Sequence, residues 1–211
     1  MAHDKDVDPL TSSSCGVVFT QAIKAVQARR GSRHAYEKLE AKGGWPREIT
    51  PELADFLTGL DTFFLATASA SGQPYIQHRG GPRGFLKIVD PHTLAFADYA
   101  GNRQYITVGN LSENKCVMLF LLDFETRTRV KIWGRARVIE DDPALLAGLA
   151  TPDYRARAER AIVIDVLGWD ANCHKHITAR VRQDECARRI AQLEGRIAQL
   201  EAQHGEAAFG S

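Results

Sequence analysis

The sequence contains no long hydrophobic run, few cysteines and almost no excess of either charge. No stretch approaches the about 18 apolar residues that a membrane-spanning helix requires, and the start MAHDKDVDPLTSSS is too polar for a secretory signal. The formal net charge of +1 argues against a general nucleic-acid-binding protein, which would carry a large basic excess. The four cysteines are widely scattered, as expected for reduced thiols. These absences predict a cytoplasmic protein that engages neither a membrane nor nucleic acid.

The residues that are present suffice for one globular domain with appendages. The chain has 211 residues, of which 44% are hydrophobic and 25% are charged, so it can bury a substantial core. Its patterns predict a disordered start (1–16), a helical segment (17–60), a β-rich domain (61–180), a C-terminal helix (181–204) and a flexible tail (205–211).

Helix signals are concentrated before residue 60. Apolar residues at helical spacing predict one helix that Gly31 ends, and a second is expected over 33–41. Thr50 and Pro51 supply a cap and a first-turn proline for a third helix, which should run to Gly59.

Short β-type runs separated by turn residues follow, from Phe63 to Leu167. There are about seven of them, with short connections and few helices between. This spacing favours an antiparallel barrel over alternating strands and helices, and closing the sheet also removes exposed edges. The predicted fold class is therefore mainly β, of the α+β kind.

One of these strands alternates with an unusually clean period of two. From Thr128 to Val138 every second residue is small or apolar, while the residues between them are basic or Trp133. The apolar face should therefore point into the core. Cys116 lies in another apolar run and is expected to be a buried small hydrophobe.

Apolar residues recur with heptad spacing near the C-terminus. Ile190 and Ile197 fall at a positions, and Leu193 and Leu200 fall at d positions. Arginines at g and glutamates at e would pair across a parallel dimer. Two heptads are too short to be stable alone, and a single amphipathic helix packed on its own barrel explains the stripe equally well.

Two segments have the chemistry to bind an anion. In residues 78–84 (HRGGPRG), a basic residue and two glycines at a strand end let the backbone approach an anionic or flat ligand. A β-bulge or wide turn needs the same glycines. In residues 100–103 (AGNR), a strand ends and a helix is expected to begin at Asn102, where free N–H groups favour a phosphate. Ordinary capping by Asn102 with a solvated Arg103 is the alternative.

These motifs resemble the FMN-binding split-barrel superfamily, which includes pyridoxamine 5′-phosphate oxidase. The resemblance extends from Phe63 to about Ile177 and is carried mostly by HRGGPRGF and FADYAGNRQ. It is greatest to the predicted flavin-nucleotide-binding group, which the N-terminal GGWPREIT also fits. The oxidase's tyrosine, arginine and serine contacts to the substrate phosphate have no counterpart here, so the chain is not expected to oxidise vitamin B6.

The resemblance implies a set of cofactor contacts. In chain order these are Gln77, Arg79, Lys87, Asp98, Asn102, Arg103, Gln104, Arg129, Lys131 and Trp169. Arg79 and Arg103 are expected to share the FMN phosphate. Asp98 stands where the family often has a threonine near the flavin ring. Arg129 or Lys131 is expected to reach the flavin of the neighbouring subunit.

The segment 169–177 (WDANCHKHI) invites a zinc interpretation, because two histidines, a cysteine and an aspartate lie close together. No second Cys-x-x-Cys or histidine partner stands at a suitable spacing, so no metal is expected. By the resemblance, the segment closes over the cofactor near the subunit interface. Trp169 would then form an aromatic wall and His176 a polar contact.

The function that the resemblance implies is an FMN-dependent oxidoreductase acting on an unidentified small molecule. The flavin would supply the redox chemistry, and the protein would bind and orient it. The cofactor is expected at the subunit interface of a homodimer, and no catalytic residue stands out. A non-enzymatic flavin carrier or sensor, or a relative holding a deazaflavin or haem in the same groove, fits the residues equally well.

Overall fold

The computed structural model describes residues 14–151, 154–172 and 175–208. Within these ranges the chain forms seven strands, six α-helices and a short 3-10 helix over Ser14–Val17. Of the start expected to be disordered (1–16), residues 14–16 lie in the 3-10 helix, and of the tail expected to be flexible (205–211), residues 205–208 lie in the last helix. The remaining residues of both segments lie outside the described ranges, and for them the expectations stay predictions.

Side chains predicted as caps begin the helices near the N-terminus. The helices are α1 (Gln21–Arg29), α2 (Arg33–Ala41), α3 (Pro51–Gly59), α4 (Ile106–Glu113), α5 (Pro143–Leu149) and α6 (Gln183–Ala208). The helices predicted over 33–41 and up to Gly59 are confirmed. Thr50 Oγ1 accepts a hydrogen bond from the backbone N–H of Leu53 at 3.4 Å, and so satisfies one of the free groups at the start of α3.

The strands form one antiparallel sheet. They are β1 (Thr62–Ala68), β2 (Pro74–Gly80), β3 (Lys87–Asp90), β4 (Thr93–Tyr99), β5 (Cys116–Asp123), β6 (Thr128–Ile139) and β7 (Ala158–Asn172). Their order in the sheet is β2-β1-β5-β6-β7-β4-β3. The predicted mainly β fold of the α+β kind is confirmed.

The sheet is rolled so that its two ends approach each other. β2 is at one edge and β4 is second from the other edge, yet the side chains of Arg79 in β2 and Asp98 in β4 form an ion pair. The ring of Phe63 in β1 also packs against Phe96 in β4, with centroids 5.3 Å apart. These contacts across the interior give the open, rolled sheet of a split barrel, whose edge strands β2 and β3 are not hydrogen-bond neighbours.

Alternation along β4 decides which side chains enter the barrel. Leu94 and Phe96 are buried in the main core, and Asp98 continues the same face at its end because every second residue points the same way. Ala95 and Ala97 point to the other face and belong to a second cluster beneath α5. Along β4 the barrel interior is therefore apolar as far as Phe96 and becomes charged at Asp98.

The neighbouring strands follow the same rule. Val130 and Ile132 of β6 are buried, which confirms the predicted core face. The buried face of β5 contains Val117 and Leu119. Cys116 is one position out of phase with them and is exposed, so the expected burial of this cysteine is wrong.

An aromatic cluster connects the N-terminal segment to the outer face of β6. Trp45 stacks on Trp133 with ring centroids 4.6 Å apart, and Phe19 packs on Trp45 at 5.0 Å. The indole N–H of Trp169 donates to the carbonyl of Glu48 at 2.8 Å. The rings of Trp45 and Phe19 cover Trp133 in the middle of the otherwise basic face of β6, whereas Trp169, opposite Ile132, packs against the main core.

The chain divides by its internal contacts into two units, and α6 belongs to the smaller one, which consists of 123–128 and 174–211. The heptad side chains of α6 are exposed: Ile190, Leu193, Ile197 and Leu200. Pairing of this stripe with a second copy of α6 stays a prediction.

Gly134 has no room for a side chain. A Cβ at this position would lie 2.7 Å from the Asp165 carbonyl oxygen and 2.8 Å from Ile164 Cγ2, where the register between β6 and β7 shifts. We expect Gly134→Ala to lower the free energy of unfolding by about 1–3 kcal/mol, because the strands must move apart. Gly148→Ala is the control, since a Cβ there meets nothing within 4 Å, and it should be neutral or stabilising. Urea unfolding compares the two; equal losses would contradict the tight packing at Gly134.

Candidate anion- and cofactor-binding site

A cavity of about 260 Å³ lies where β2, β4 and β7 meet the start of α4. Its wall is polar and carries both charges. The cationic residues are Arg79, Arg103 and Arg160; the acidic ones are Asp98 and Glu159; the other polar side chains include Gln77, Asn102, Tyr105 and Thr107. The structure thus brings together five of the predicted contacts: Gln77, Arg79, Asp98, Asn102 and Arg103.

β2 directs Gln77 and Arg79 into this cavity. Gln77 pairs with Leu65 and Arg79 with Phe63 across the β1–β2 ladder, and paired residues project to the same face. Since Leu65 and Phe63 are core residues, the two polar side chains lie on the inner face as well. Gln77 is fixed there, because its Oε1 accepts a hydrogen bond from the buried Thr107 hydroxyl at 2.8 Å.

Arg79 is a buried cation whose Nε has no hydrogen-bond partner among the described residues. Its Nη1 donates to Asp98 Oδ1, its guanidinium lies 5.7 Å from the Phe96 ring centroid, and its side chain is only 10% exposed. Burial lowers the pKa of Arg79, and the Asp98 carboxylate opposes that effect. An unsatisfied charged donor such as this Nε is costly, so the site has capacity for one more acceptor.

Arg160 is a third arginine of the site, and no sequence motif pointed to it. It lies opposite Asp98 in the β4–β7 ladder, and its Nη1 donates to Asp98 Oδ2 at 3.4 Å. Alternation along β7 could have identified it. Ile162 and Ile164 are buried in the main core on alternate positions, and Arg160 is the preceding residue of the same face. An arginine on a core-facing phase needs an acidic partner or a ligand.

The predicted start of α4 is wrong, because a loop occupies the residues before Ile106. α4 begins at Ile106, not at Asn102, because Arg103 and Tyr105 have positive φ values of 61° and 54°, which no right-handed helix accommodates. Asn102 therefore caps no helix; its Oδ1 accepts from the backbone N–H of Gln104 at 3.3 Å. The predicted phosphate segment is a strained loop rather than a helix N-terminus.

Tyr105 connects this loop to the buried ion pairs. Its hydroxyl accepts a hydrogen bond from Arg103 Nε at 3.4 Å, and the Arg160 guanidinium lies 5.1 Å from its ring centroid. The bond to Tyr105 raises the pKa of Arg103. A continuous set of contacts thus runs from Arg79 through Asp98, Arg160 and Tyr105 to Arg103.

Other predicted contacts lie elsewhere in the chain. Lys87 pairs with Ala95 and so shares the face of β4 that α5 covers, opposite to Asp98. Lys131 pairs with Asp170, next to Trp169, about 30 Å along β7 from Arg160 at about 3.3 Å per residue. Two further predicted contacts, Gln104 and Arg129, do not line the cavity within the described chain.

The segment 169–177 is partly strand. Residues 169–172 complete β7, and Trp169 is held by Glu48 through its indole N–H. Cys173 and His174 lie outside the described residues, and His176 is exposed with a φ of 65°. Among the residues described, no group of three potential metal ligands occurs, and the absence of a structural metal stays a prediction. The described helices also include none that is long and apolar enough to cross a membrane.

The rolled antiparallel sheet brings Arg79, Arg103 and Arg160 to one cavity, which makes the cavity a candidate site for a small anionic molecule. The family model for pyridoxamine 5′-phosphate oxidase matches residues 49–173, more than half of the chain. The chain belongs to this family of split-barrel proteins, which includes flavin-nucleotide-binding proteins and also relatives that bind F420 or haem. The resemblance derived from the motifs is thereby confirmed.

Several solved structures are similar to part of this chain. HupZ of Group A Streptococcus is 19% identical, with a TM-score of 0.48 over 63% of this chain and 99% of its own. An FMN-binding protein of Syntrophomonas wolfei is 10% identical, with a TM-score of 0.46 over 72% of this chain and 96% of its own. A Clostridium acetobutylicum protein related to general stress protein 26 is 14% identical, with a TM-score of 0.45 over 64% of this chain and 94% of its own. Among curated proteins, none matches this sequence.

The buried position of Arg79 generates a stability prediction. We expect Arg79→Gln to lower the free energy of unfolding by about 3–5 kcal/mol, because it leaves the Asp98 carboxylate buried with only the longer contact to Arg160. Arg103→Gln is the control: it removes the same charge from the same cavity wall, but Arg103 is exposed and its loss should not measurably change stability. Urea unfolding without ligand measures both variants. Equal stability of the two would mean that the Arg79–Asp98 pair contributes nothing to the fold.

Proposed function

We propose that the protein binds FMN through this cavity and acts as a cytoplasmic, flavin-dependent oxidoreductase on an unidentified small molecule. The observation that carries the proposal is the buried Arg79 Nε without a partner, in a cavity with two further arginines, in a chain of a flavin-binding family. A phosphate ester supplies the acceptor oxygens that such donors require.

The residues present fit the phosphate end of FMN. Arg79 offers its Nε, which lacks a partner within the described chain, from the barrel interior, and Arg103 offers charge from the loop before α4. Gln77 and Asn102 add polar atoms beside them. The bound flavin would supply the redox chemistry; these residues would hold and orient it and exclude water from the buried Arg79.

The cavity of one chain is too small and too polar for the whole cofactor. About 260 Å³ is below the about 300–1,000 Å³ of usual ligand pockets, which are mostly apolar. We infer that a second subunit completes the site, as in the dimers common in this family. Arg129 supports this inference, since within the described chain its buried Nε also lacks a partner although it lies far from Arg79 along the sheet. A partner subunit would bring Arg129, Lys131 and Trp169 to the ring end of the site.

A flavin, a deazaflavin and haem are the alternative occupants of the cavity, and among its described lining residues Tyr99 and Tyr105 are of a type that can ligate haem iron. The absorption spectrum of the purified protein distinguishes FMN from a deazaflavin. Reduction of the bound cofactor by NADPH, followed by its reoxidation, would support an oxidoreductase over a flavin carrier.

The first binding prediction concerns Arg103. We expect Arg103→Ala to weaken FMN binding by about 10–150-fold, because it loses one or more charge-assisted hydrogen bonds to the phosphate. Riboflavin has no phosphate, so it should bind the wild type and the variant with the same weak affinity. Fluorescence titration of both ligands against both proteins measures the four constants. Equal FMN affinities of the wild type and Arg103→Ala would mean that Arg103 does not contact the phosphate.

The second binding prediction concerns the composite site. Heterodimers should be prepared from one Arg103→Ala chain and one Arg129→Gln chain, each with a different affinity tag. If a site takes Arg103 from one subunit and Arg129 from the other, one of the two sites keeps both residues, and FMN titration should show that site at wild-type affinity. The Arg103→Ala and Arg129→Gln homodimers are the controls and should both be weakened. Two weakened sites in the heterodimer, one with the affinity of each homodimer, would mean that each site takes both residues from one chain.

A further inference from the structure

Asp98 contacts two arginines at once. One carboxylate oxygen accepts from Arg79 Nη1, and the other accepts from Arg160 Nη1 at 3.4 Å. The Asp98 side chain is 9% exposed, so this contact occurs almost out of water. The arrangement follows from the fold, because β2 and β7 each present an arginine to the inner face on which Asp98 ends β4.

A phosphate that enters the cavity meets guanidinium groups that already hold an anion. Arg79 donates to Asp98 from Nη1, and its buried Nε has no hydrogen-bond partner among the described residues. Arg160 donates from Nε to Glu140 at 3.0 Å and from Nη2 to Glu159 at 3.2 Å. An incoming phosphate must therefore share Arg79 with the Asp98 carboxylate, and at short range in a buried site the two negative charges repel strongly.

We propose that Asp98 is an internal counter-ion that sets the charge selectivity of the cavity. Without a ligand it holds Arg79 and Arg160 in place, and with a ligand its charge lowers the affinity for the phosphate. Asp98 is then a specificity-determining residue, because in the wild type its carboxylate and the FMN phosphate share Arg79. This inference rests on the proposed function, because the FMN phosphate is the anion concerned.

A direct contact of Asp98 with the flavin ring predicts the opposite result. If the carboxylate accepts a hydrogen bond from the ring, its removal weakens FMN and riboflavin alike. If it competes with the phosphate, its removal strengthens FMN and leaves riboflavin unchanged. The sign of the change in FMN affinity, together with the riboflavin control, separates the two roles.

The test is FMN and riboflavin titration of Asp98→Asn, which removes the charge and keeps the shape. We expect FMN to bind at least about tenfold more tightly than to the wild type, and riboflavin to change less than about twofold. Glu140→Gln is the matched control: it also removes one negative charge beside Arg160, but Glu140 is 58% exposed and does not line the cavity. It should change the FMN affinity less than about twofold. In an Arg79→Gln background, the gain from Asp98→Asn should disappear.

A second measurement does not depend on FMN. Inorganic phosphate should raise the unfolding temperature of Asp98→Asn more than that of the wild type, with chloride at equal ionic strength as the reference. If Asp98→Asn does not fold in chloride, phosphate should restore its fold, because the anion replaces the missing carboxylate. Failure of phosphate to do either would overturn the proposal, and so would unchanged or weaker FMN binding by a folded Asp98→Asn.

The two proposals fail in different ways. A wild type that binds no FMN, while Asp98→Asn gains more from phosphate, would refute the proposed FMN site and leave Asp98 as the counter-ion of an anion site. A wild type that binds FMN, while Asp98→Asn binds it no better, would refute the counter-ion role alone.

Discussion

The fold closes around a buried cluster of charges. Arg79, Asp98 and Arg160 come from β2, β4 and β7. The Arg79–Asp98 ion pair joins strands near opposite ends of the sheet order, and the Asp98–Arg160 pair joins two neighbouring strands. Buried charges must be paired, since removing one partner of such a pair leaves an uncompensated ion. The rolling of the sheet is therefore tied to this cluster as well as to the aromatic core beneath it, where Phe63 and Phe96 meet. The rolled fold and the candidate binding site therefore depend on the same three residues.

Much of the fold was predictable because its signals are local. A period of two identified the core face of β6, and cap residues such as Thr50 identified helix starts. The start of α4 was not predictable in this way. Arg103 and Tyr105 adopt positive φ values that their side chains disfavour, and the contacts of Tyr105 with Arg160 and Arg103 accompany that conformation. The local sequence pattern does not report such contacts, and for this reason it placed the start of α4 at Asn102 instead of Ile106.

The candidate site was predictable in its chemistry and less so in its geometry. The motifs indicated arginines and an anion, and Gln77, Arg79, Asp98, Asn102 and Arg103 do line one cavity. Motifs do not report which face of a strand a residue occupies, and for that reason Lys87 was grouped with residues from which the sheet separates it. Strand phase carries that information. Arg160 stands in phase with the buried residues of β7 and is recognisable only when each strand is assigned an inner face.

The distribution of polar groups in the cavity argues for a site shared between chains. Within the described residues, one chain supplies three arginines and several hydrogen-bonding groups at the proposed phosphate end, but the lining includes only two aromatic residues, Tyr99 and Tyr105. Tyr105 is already engaged by two arginines. A planar ring system needs apolar walls that this lining does not provide. The indole of Trp169 and the unpartnered Nε of Arg129 lie at the far end of the same sheet. In a two-fold dimer, this far end of one chain would lie beside the arginine cluster of the other. Trp169 and Arg129 would then supply the wall and the donor that the cavity of each single chain lacks.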